Sequence, residues 1–216
     1  DAPIRVRTCS RTLKHTVHLD KVKPERFLLP ISKKKTHVIE IHAGQITTTD
    51  LTISLPPTLN FEPFGGYSKI AAVERHHNTG KIGVAVAKGY GIKNGAVASS
   101  VSHDSHNIIV IGDNDVDMAI AVNEIIRTQG GYTVVENGKV YETLALPIMG
   151  LMSDAGFENV NEALQRMIQK AYQMGVASKI DPFVTLSFLA LPVIPELRIT
   201  PRGICKMTAK GPVILS

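Results

Sequence analysis

The chain has 216 residues, of which 44% are hydrophobic and 20% are charged. This is long enough to bury a core in one domain or two small ones, and the composition excludes a disordered or collagen-like chain. The longest apolar runs, such as residues 188–194, fall well short of the roughly 20 residues that a membrane-spanning helix needs. We therefore expect a folded, soluble protein with no membrane partner.

The cysteine content and the first residues bear on the cellular compartment. Cys9 and Cys205 are the two cysteines, and neither belongs to a CxxC or Cys/His motif, which argues against a disulfide framework or a structural zinc site. The chain starts at Asp1 without the basic and then apolar segments of a signal peptide. These features favour a cytoplasmic location.

The net charge of +5 is concentrated at the start of the chain. Residues 1–36 contain 10 Lys and Arg against 3 Asp and Glu, a net charge of +7, which leaves −2 for the rest. This segment has little apolar periodicity, so a basic linker or arm explains it better than a nucleic-acid surface does. We expect no nucleic-acid partner and a folded domain over residues 37–216.

Short apolar and β-branched runs separated by turn residues predict six strands in the first half of the domain, at 37–41, 51–55, 69–73, 82–87, 96–101 and 108–111. The capping residues Asp113, Asn114 and Asp115 then open an apolar helix that ends at Gly130 and Gly131. Next, residues 132–135 and 140–145 flank Asn137-Gly138, which predicts a β-hairpin.

A second helix is predicted from near Asn159 to Gly175, because its apolar residues recur at a spacing typical of one helix face. Thr185 to Leu191 is the last predicted strand, and Pro192 and Pro195 break the segment after it. This order of elements predicts an α+β domain, with a mixed or largely antiparallel sheet and two main helices packed on one face.

Six consecutive polar residues lie between two apolar strands and form the segment Ser102-His103-Asp104-Ser105-His106-Asn107. One hypothesis is that His103 or His106 carries a proton or binds a ligand, with Asp104 orienting the imidazole. The alternative is a turn in which Asp104, Ser105 and Asn107 bind backbone groups.

A second polar segment, Glu74-Arg75-His76-His77-Asn78, comes directly after another predicted strand. Arg75 has the donors to hold an anionic or carbonyl group, while Glu74 or a histidine has the chemistry to exchange protons. The alternative is that the strand simply ends in a polar surface loop.

Four segments together resemble the carboxy-terminal region of bacterial adenine deaminases, which belong to the amidohydrolase superfamily. They are ERHHNTGKIG at 74–83, GAVASSVSHDSHN at 95–107, LPIMGLMSD at 146–154 and DPFVTLSFLALPVIPEL at 181–197. The resemblance extends over roughly residues 37–203. It implies a metal-dependent hydrolase of purine metabolism that converts adenine and water to hypoxanthine and ammonia.

The resemblance also implies where the metal lies. In this family a divalent metal, manganese or iron, activates the attacking water and is bound in a barrel domain that comes before the region matched here. No segment of residues 1–216 matches that barrel, so we expect the metal to be bound outside this chain and this chain to be inactive without the barrel. The barrel domain of the same enzyme is then a partner, and a homo-oligomer stays open.

The resemblance places both polar segments beside a purine pocket. Catalytic roles fall on His103 and Asp104. Substrate-binding roles fall on Glu74, Arg75, His76, His77, Ser102, His106 and Asn107.

Two alternatives stay open at this point. The chain could be a stand-alone purine-binding or assembly module without catalysis, so the sequence leaves open whether it is an enzyme by itself. His103, Asp104 and His106, with His76 or His77, could also form a metal centre of their own.

Overall fold

A computed structural model describes residues 10–32 and 35–215. Its main feature is an eight-stranded sheet with the strand order β2-β1-β4-β3-β6-β5-β7-β8, in which β1 and β4 are parallel and every other neighbouring pair is antiparallel. The strands are β1 Thr36–Ile41, β2 Thr48–Ile53, β3 Tyr67–Val73, β4 Ile82–Lys88, β5 Gly95–Ser99, β6 Ile108–Gly112, β7 Gly131–Glu136 and β8 Lys139–Ala145.

Three α-helices and a small second sheet complete the described fold. The helices are α1 Asp115–Thr128, α2 Phe157–Gln173 and α3 Pro182–Leu189. The second sheet is antiparallel and contains β9 Leu197–Thr200, β10 Gly203–Thr208 and β11 Gly211–Ile214. The predicted α+β class, with a mixed and largely antiparallel sheet, is confirmed.

The helices cover both faces of the sheet rather than one. Along β3, Ile70 and Ala72 join the apolar cluster that contains α2 and α3, whereas Ala71 and Val73 join the cluster that contains α1. The expectation that the two main helices share one face was therefore wrong. The central strands are apolar on both sides, so each face needs its own cover of apolar side chains.

The predicted strand Thr185–Leu191 is also wrong, because most of this segment belongs to α3. The side chain of Asp181 accepts hydrogen bonds from the backbone N–H groups of Phe183 and Val184, and Pro182 occupies the first turn. Both residues are typical of a helix start. A short buried apolar run has no periodicity that separates strand from helix, so the Asp-Pro pair was the informative signal.

The remaining predicted elements are confirmed with shifted ends. The hairpin turns at Asn137 and Gly138, whose φ angles of 50° and 77° are the positive values that such a turn requires. Helix α1 begins after Asn114, whose side chain accepts from the N–H of Asp117. Strands β9 to β11, which come after Pro195, were not predicted.

Residues 10–32 form an irregular arm that packs on the domain itself. Val17, Val22 and Phe27 are buried in the cluster that contains α1, and the arm includes the short 3-10 helices Arg11–Lys14 and Pro24–Phe27. The side chain of Asn123 on α1 both donates to and accepts from the backbone of Val22, at 2.8 Å each. Residues 1–9 and 33–34 of the predicted basic segment lie outside the described residues, and a domain boundary at residue 36 stays a prediction.

No helix among the described residues has both the length and the apolar character needed to cross a membrane.

Replacing Phe27 with alanine tests whether the arm is part of the core. Phe27 is fully buried, so Phe27→Ala should lower the free energy of unfolding by about 3 to 5 kcal/mol. The neighbouring Leu28 is about half exposed, and Leu28→Ala should change it by less than about 0.5 kcal/mol. Urea denaturation measures both values, and equal effects of the two substitutions would contradict the packing of the arm.

Candidate functional site

The structure brings the two predicted polar segments together at one end of the central strands of the main sheet. Strand β3 ends at Val73 and β6 begins at Ile108, and these two residues are paired across the antiparallel ladder. The turn after β3 and the turn before β6 therefore lie side by side. His76 Nε2 is 2.7 Å from the backbone oxygen of Ser105, which joins the two turns directly.

Glu74 organises the turn that comes after β3. Its carboxylate accepts hydrogen bonds from the backbone N–H groups of His76 at 2.5 Å, His77 at 2.9 Å and Thr79 at 3.1 Å, and from the Thr79 hydroxyl at 2.9 Å. Partial burial opposes ionisation of this group, but the hydrogen bonds together outweigh it and lower the pKa of Glu74 to about 2. These contacts favour a structural carboxylate over one that exchanges protons at neutral pH. His77 in the same turn is exposed.

Arg75 is buried, with 2% of its surface exposed, and burial lowers its pKa to about 10. Nε donates to the backbone oxygen of His106, Nη1 donates to the backbone oxygen and hydroxyl of Thr16 at 2.9 and 3.2 Å, and Nη2 donates to the backbone oxygen of Met149 at 2.9 Å. The guanidinium thus joins the arm, the turn at residues 102–107, which we call the histidine turn, and the loop after β8. These contacts favour a positioning role, and contact with a substrate stays a prediction for this residue.

His103 and Asp104 are the accessible pair of the second turn. Their side chains are 42% and 86% exposed, and Nδ1 of His103 lies 3.7 Å from Oδ1 of Asp104. The imidazole ring lies 5.2 Å from the ring of Phe188 on α3. The backbone N–H of His103 also donates to the backbone oxygen of Ser187 at 3.1 Å, so α3 positions this imidazole.

His106 is held more tightly than His103. Its backbone has a φ of 48°, and its N–H donates to the backbone oxygen of Ser102 at 2.6 Å, which closes the turn. Partial burial and the nearby positive charge of Arg75 lower its pKa, so the neutral imidazole is favoured. His106 Nδ1 and Ser102 Oγ are buried and have no hydrogen-bond partner among the described residues. Asn107 accepts from the N–H of Arg75 at 3.3 Å.

The described residues do not fit a metal centre. No group of three or more His, Cys, Asp or Glu in the described part of the chain is arranged to hold a metal ion. The alternative of a metal centre formed by these histidines therefore has no geometric support in residues 10–32 and 35–215.

Sequence reasoning missed three contributors to the candidate site, namely Thr16, the loop at 146–154 and the α3 residues Ser187 and Phe188. In the loop, the backbone oxygen of Gly150 accepts from Ser100 Oγ at 2.6 Å. A Cβ on Gly150 would lie only 2.8 Å from Nη1 of Arg75, so a glycine is required there. The motif segments at 146–154 and 181–197 contained this signal, although residue types alone assign them no role.

This arrangement defines an α+β domain with a histidine turn at one end of its central strands. Its described residues supply no set of metal ligands. Residues 45–210 match the family model described as the adenine deaminase C-terminal domain. The chain therefore belongs to that family.

Named relatives agree with the family match. An adenine deaminase of Desulfitobacterium hafniense is 46% identical over 93% of this chain, one of Bacillus subtilis is 43% identical over 82%, and adenine deaminase 2 of Carboxydothermus hydrogenoformans is 40% identical over 95%. The matched region makes up 36%, 31% and 37% of those relatives. The chain thus spans about a third of the length of the curated relatives that it matches.

Substitution of Arg75 should destabilise the fold, because three backbone oxygens lose their hydrogen-bond donor. Arg75→Met removes the donors to three part-buried backbone oxygens, and the free energy of unfolding should fall by on the order of 3 kcal/mol. Arg75→Lys keeps the charge but loses the planar donor array, so it should give an intermediate loss. His77→Ala, in the same turn but exposed, is the matched control for denaturation measurements. A stable Arg75→Met protein would contradict the positioning role.

The low pKa of Glu74 makes a pH-dependent contribution to stability. Because its pKa is near 2 in the folded chain and 4.5 for an unperturbed group, the stabilisation is fully present above about pH 4.5 and is lost as the pH falls towards 2. Wild type should therefore be more stable than Glu74→Gln at pH 7, and the difference should shrink as the pH falls from about 4.5 towards 2. Urea denaturation at several pH values measures this difference, and a constant difference would contradict it.

Proposed function

We propose that this chain serves as the carboxy-terminal lobe of an adenine deaminase, which hydrolyses adenine to hypoxanthine and ammonia. The observation that carries the proposal is the family match over residues 45–210, because the matched range includes both polar segments that meet at the paired ends of β3 and β6. The Desulfitobacterium and Bacillus relatives are named adenine deaminases, and this chain corresponds to about a third of their length.

We place the catalytic metal, manganese or iron, outside this chain, in the barrel domain of the same enzyme. The described residues offer no ligand set for it. When bound, such a metal supplies a water of lowered pKa as the nucleophile. The role left for this chain is to position a purine and to hold or move protons.

His103 is the group best placed to move a proton in this proposal. Its side chain is 42% exposed, its Nδ1 lies 3.7 Å from Oδ1 of Asp104, and its ring contacts that of Phe188. A carboxylate beside an imidazole orients it for proton transfer. The other predicted residues form or support the wall of the purine pocket, namely Glu74, Arg75, His76, His77, Ser102, His106 and Asn107.

A chimera tests the proposal with a complete enzyme. The portion of the Desulfitobacterium hafniense adenine deaminase that precedes the matched region is joined to this chain, and ammonia release from adenine is measured with manganese present. We expect turnover by the chimera and none by this chain alone. The unmodified relative is the positive control. A folded chimera without activity, or turnover by the isolated chain, would contradict the proposal.

Within that chimera, His103→Ala should lower kcat by about 100-fold or more, the usual loss when a positioned acid–base group is removed. His42→Ala is the matched control, because His42 lies at the end of β1 and contacts Thr49 instead of the histidine turn. We expect its kcat to stay within about twofold of the parent. Equal kcat values for the two variants would remove His103 from the mechanism.

A further inference from the structure

Three apolar residues with exposed side chains lie in segments that backbone hydrogen bonds join close to the histidine turn. Leu13 is 40% exposed, Met149 is 43% exposed and Met152 is 52% exposed. The backbone N–H of Met149 donates to the backbone oxygen of Leu13 at 2.6 Å, and Ile148 pairs with Met152 across an isolated bridge. We call Leu13, Met149 and Met152 the methionine patch.

The position of this patch relative to the histidine turn is fixed by one side chain. The guanidinium of Arg75 donates to the backbone oxygen of Met149 and also to that of His106. Both segments are therefore attached to the same small planar group. Whatever covers the methionine patch also comes close to the turn that contains His103.

The loop that contains Met149 and Met152 has an unusual backbone conformation. Met149 has a φ of 59°, a value that side-chain-bearing residues seldom adopt, and the structure retains it while leaving the side chain partly in solvent. Exposed single apolar residues are ordinary on protein surfaces, whereas adjoining ones often mark an interaction surface. Methionine side chains also adapt readily to a partner surface.

The arm shows which polypeptide reaches this patch. The matched family is the carboxy-terminal domain of adenine deaminase, and the relatives are about three times as long as the matched region, so their remaining sequence mostly precedes it. In this chain the arm crosses the patch: Leu13 belongs to it, Lys14 pairs with Asp154 next to it and Thr16 binds Arg75. The described part of the arm therefore begins within three residues of the patch, so polypeptide that precedes it joins the domain there.

We infer that the methionine patch is the docking surface for the domain that precedes this region, and that docking brings His103 and Asp104 to the edge of that domain. This inference rests on the proposed function, since it takes the preceding domain to be the partner. It adds the surface through which the two parts of the enzyme meet.

Hydrogen–deuterium exchange tests the docking surface directly. We compare backbone exchange of residues 146–154 in the isolated chain and in the Desulfitobacterium chimera. Docking should slow exchange in the chimera by about tenfold or more, since it covers this loop and reduces its opening. Equal exchange in the two proteins would overturn the inference without any substitution being made.

The double variant Met149→Glu with Met152→Glu probes the same surface, because two carboxylates on an apolar interface oppose docking. In the chimera it should restore fast exchange of residues 146–154 and lower kcat/KM for adenine by about tenfold or more. The matched control is the double variant Leu59→Glu with Val213→Glu, at residues that are also exposed but lie outside residues 146–154 and the arm. The control should keep both the slow exchange and the activity, and identical behaviour of the two double variants would overturn the inference.

Two further outcomes separate this inference from the proposed function and from another occupant. Slow exchange in a chimera that does not turn over adenine would support docking and contradict the proposed function. Turnover of adenine by a chimera whose residues 146–154 stay unprotected would support the proposed function and overturn the inference. Light scattering that shows a dimer of the isolated chain, dissociated by the methionine substitutions, would assign the patch to a second copy and overturn the inference.

Discussion

The buried guanidinium of Arg75 is the contact on which the candidate site depends. Among the described residues it has no carboxylate partner within salt-bridge distance, and its four hydrogen bonds go to backbone oxygens and to the Thr16 hydroxyl. A charge taken out of water is costly unless fixed dipoles replace its hydration. Since three separate segments supply those dipoles, the arm, the histidine turn and the loop after β8 are held together by the need to solvate one cation.

A second buried arginine is also bound mainly by backbone oxygens. Arg198 is fully buried, and its guanidinium donates to the backbone oxygens of Ile46, Pro195 and Leu197 and to the Thr48 hydroxyl. It fixes β9 against the start of β2, far away in sequence. Burial lowers the pKa of both arginines to about 10, which still leaves them charged at neutral pH. Both contacts therefore persist over the ordinary pH range.

How far the sequence predicts this protein depends on the kind of signal. Local patterns were sufficient for most strands, for α1 and for the Asn137-Gly138 hairpin, because turn chemistry and alternation act within a few residues. They failed for α3, where a uniformly apolar run fits either element. They also failed to place the helices, since which face of a sheet a helix covers depends on contacts between residues far apart in the chain.

The candidate site shows the same division. The two polar segments were predicted from residue types, but their meeting depends on the register of β3 and β6, which joins Val73 to Ile108. The partners of Arg75 could not be predicted at all. Every residue has a backbone oxygen, so the residue type does not show which of them accepts a hydrogen bond. Only the small residue at Gly150 records the close approach of the guanidinium.

The arm shows how the hydrogen bonds of Arg75 bear on function. Its apolar residues are too sparse to show a periodicity, so its charge suggested a solvated linker, yet Val17, Val22 and Phe27 are buried. Through Thr16 the arm is bound to Arg75, and through Arg75 to the backbone of His106. A domain attached to the arm is therefore linked to the histidine turn by two consecutive hydrogen-bonded contacts. This makes the position of the turn depend on how the preceding polypeptide is held.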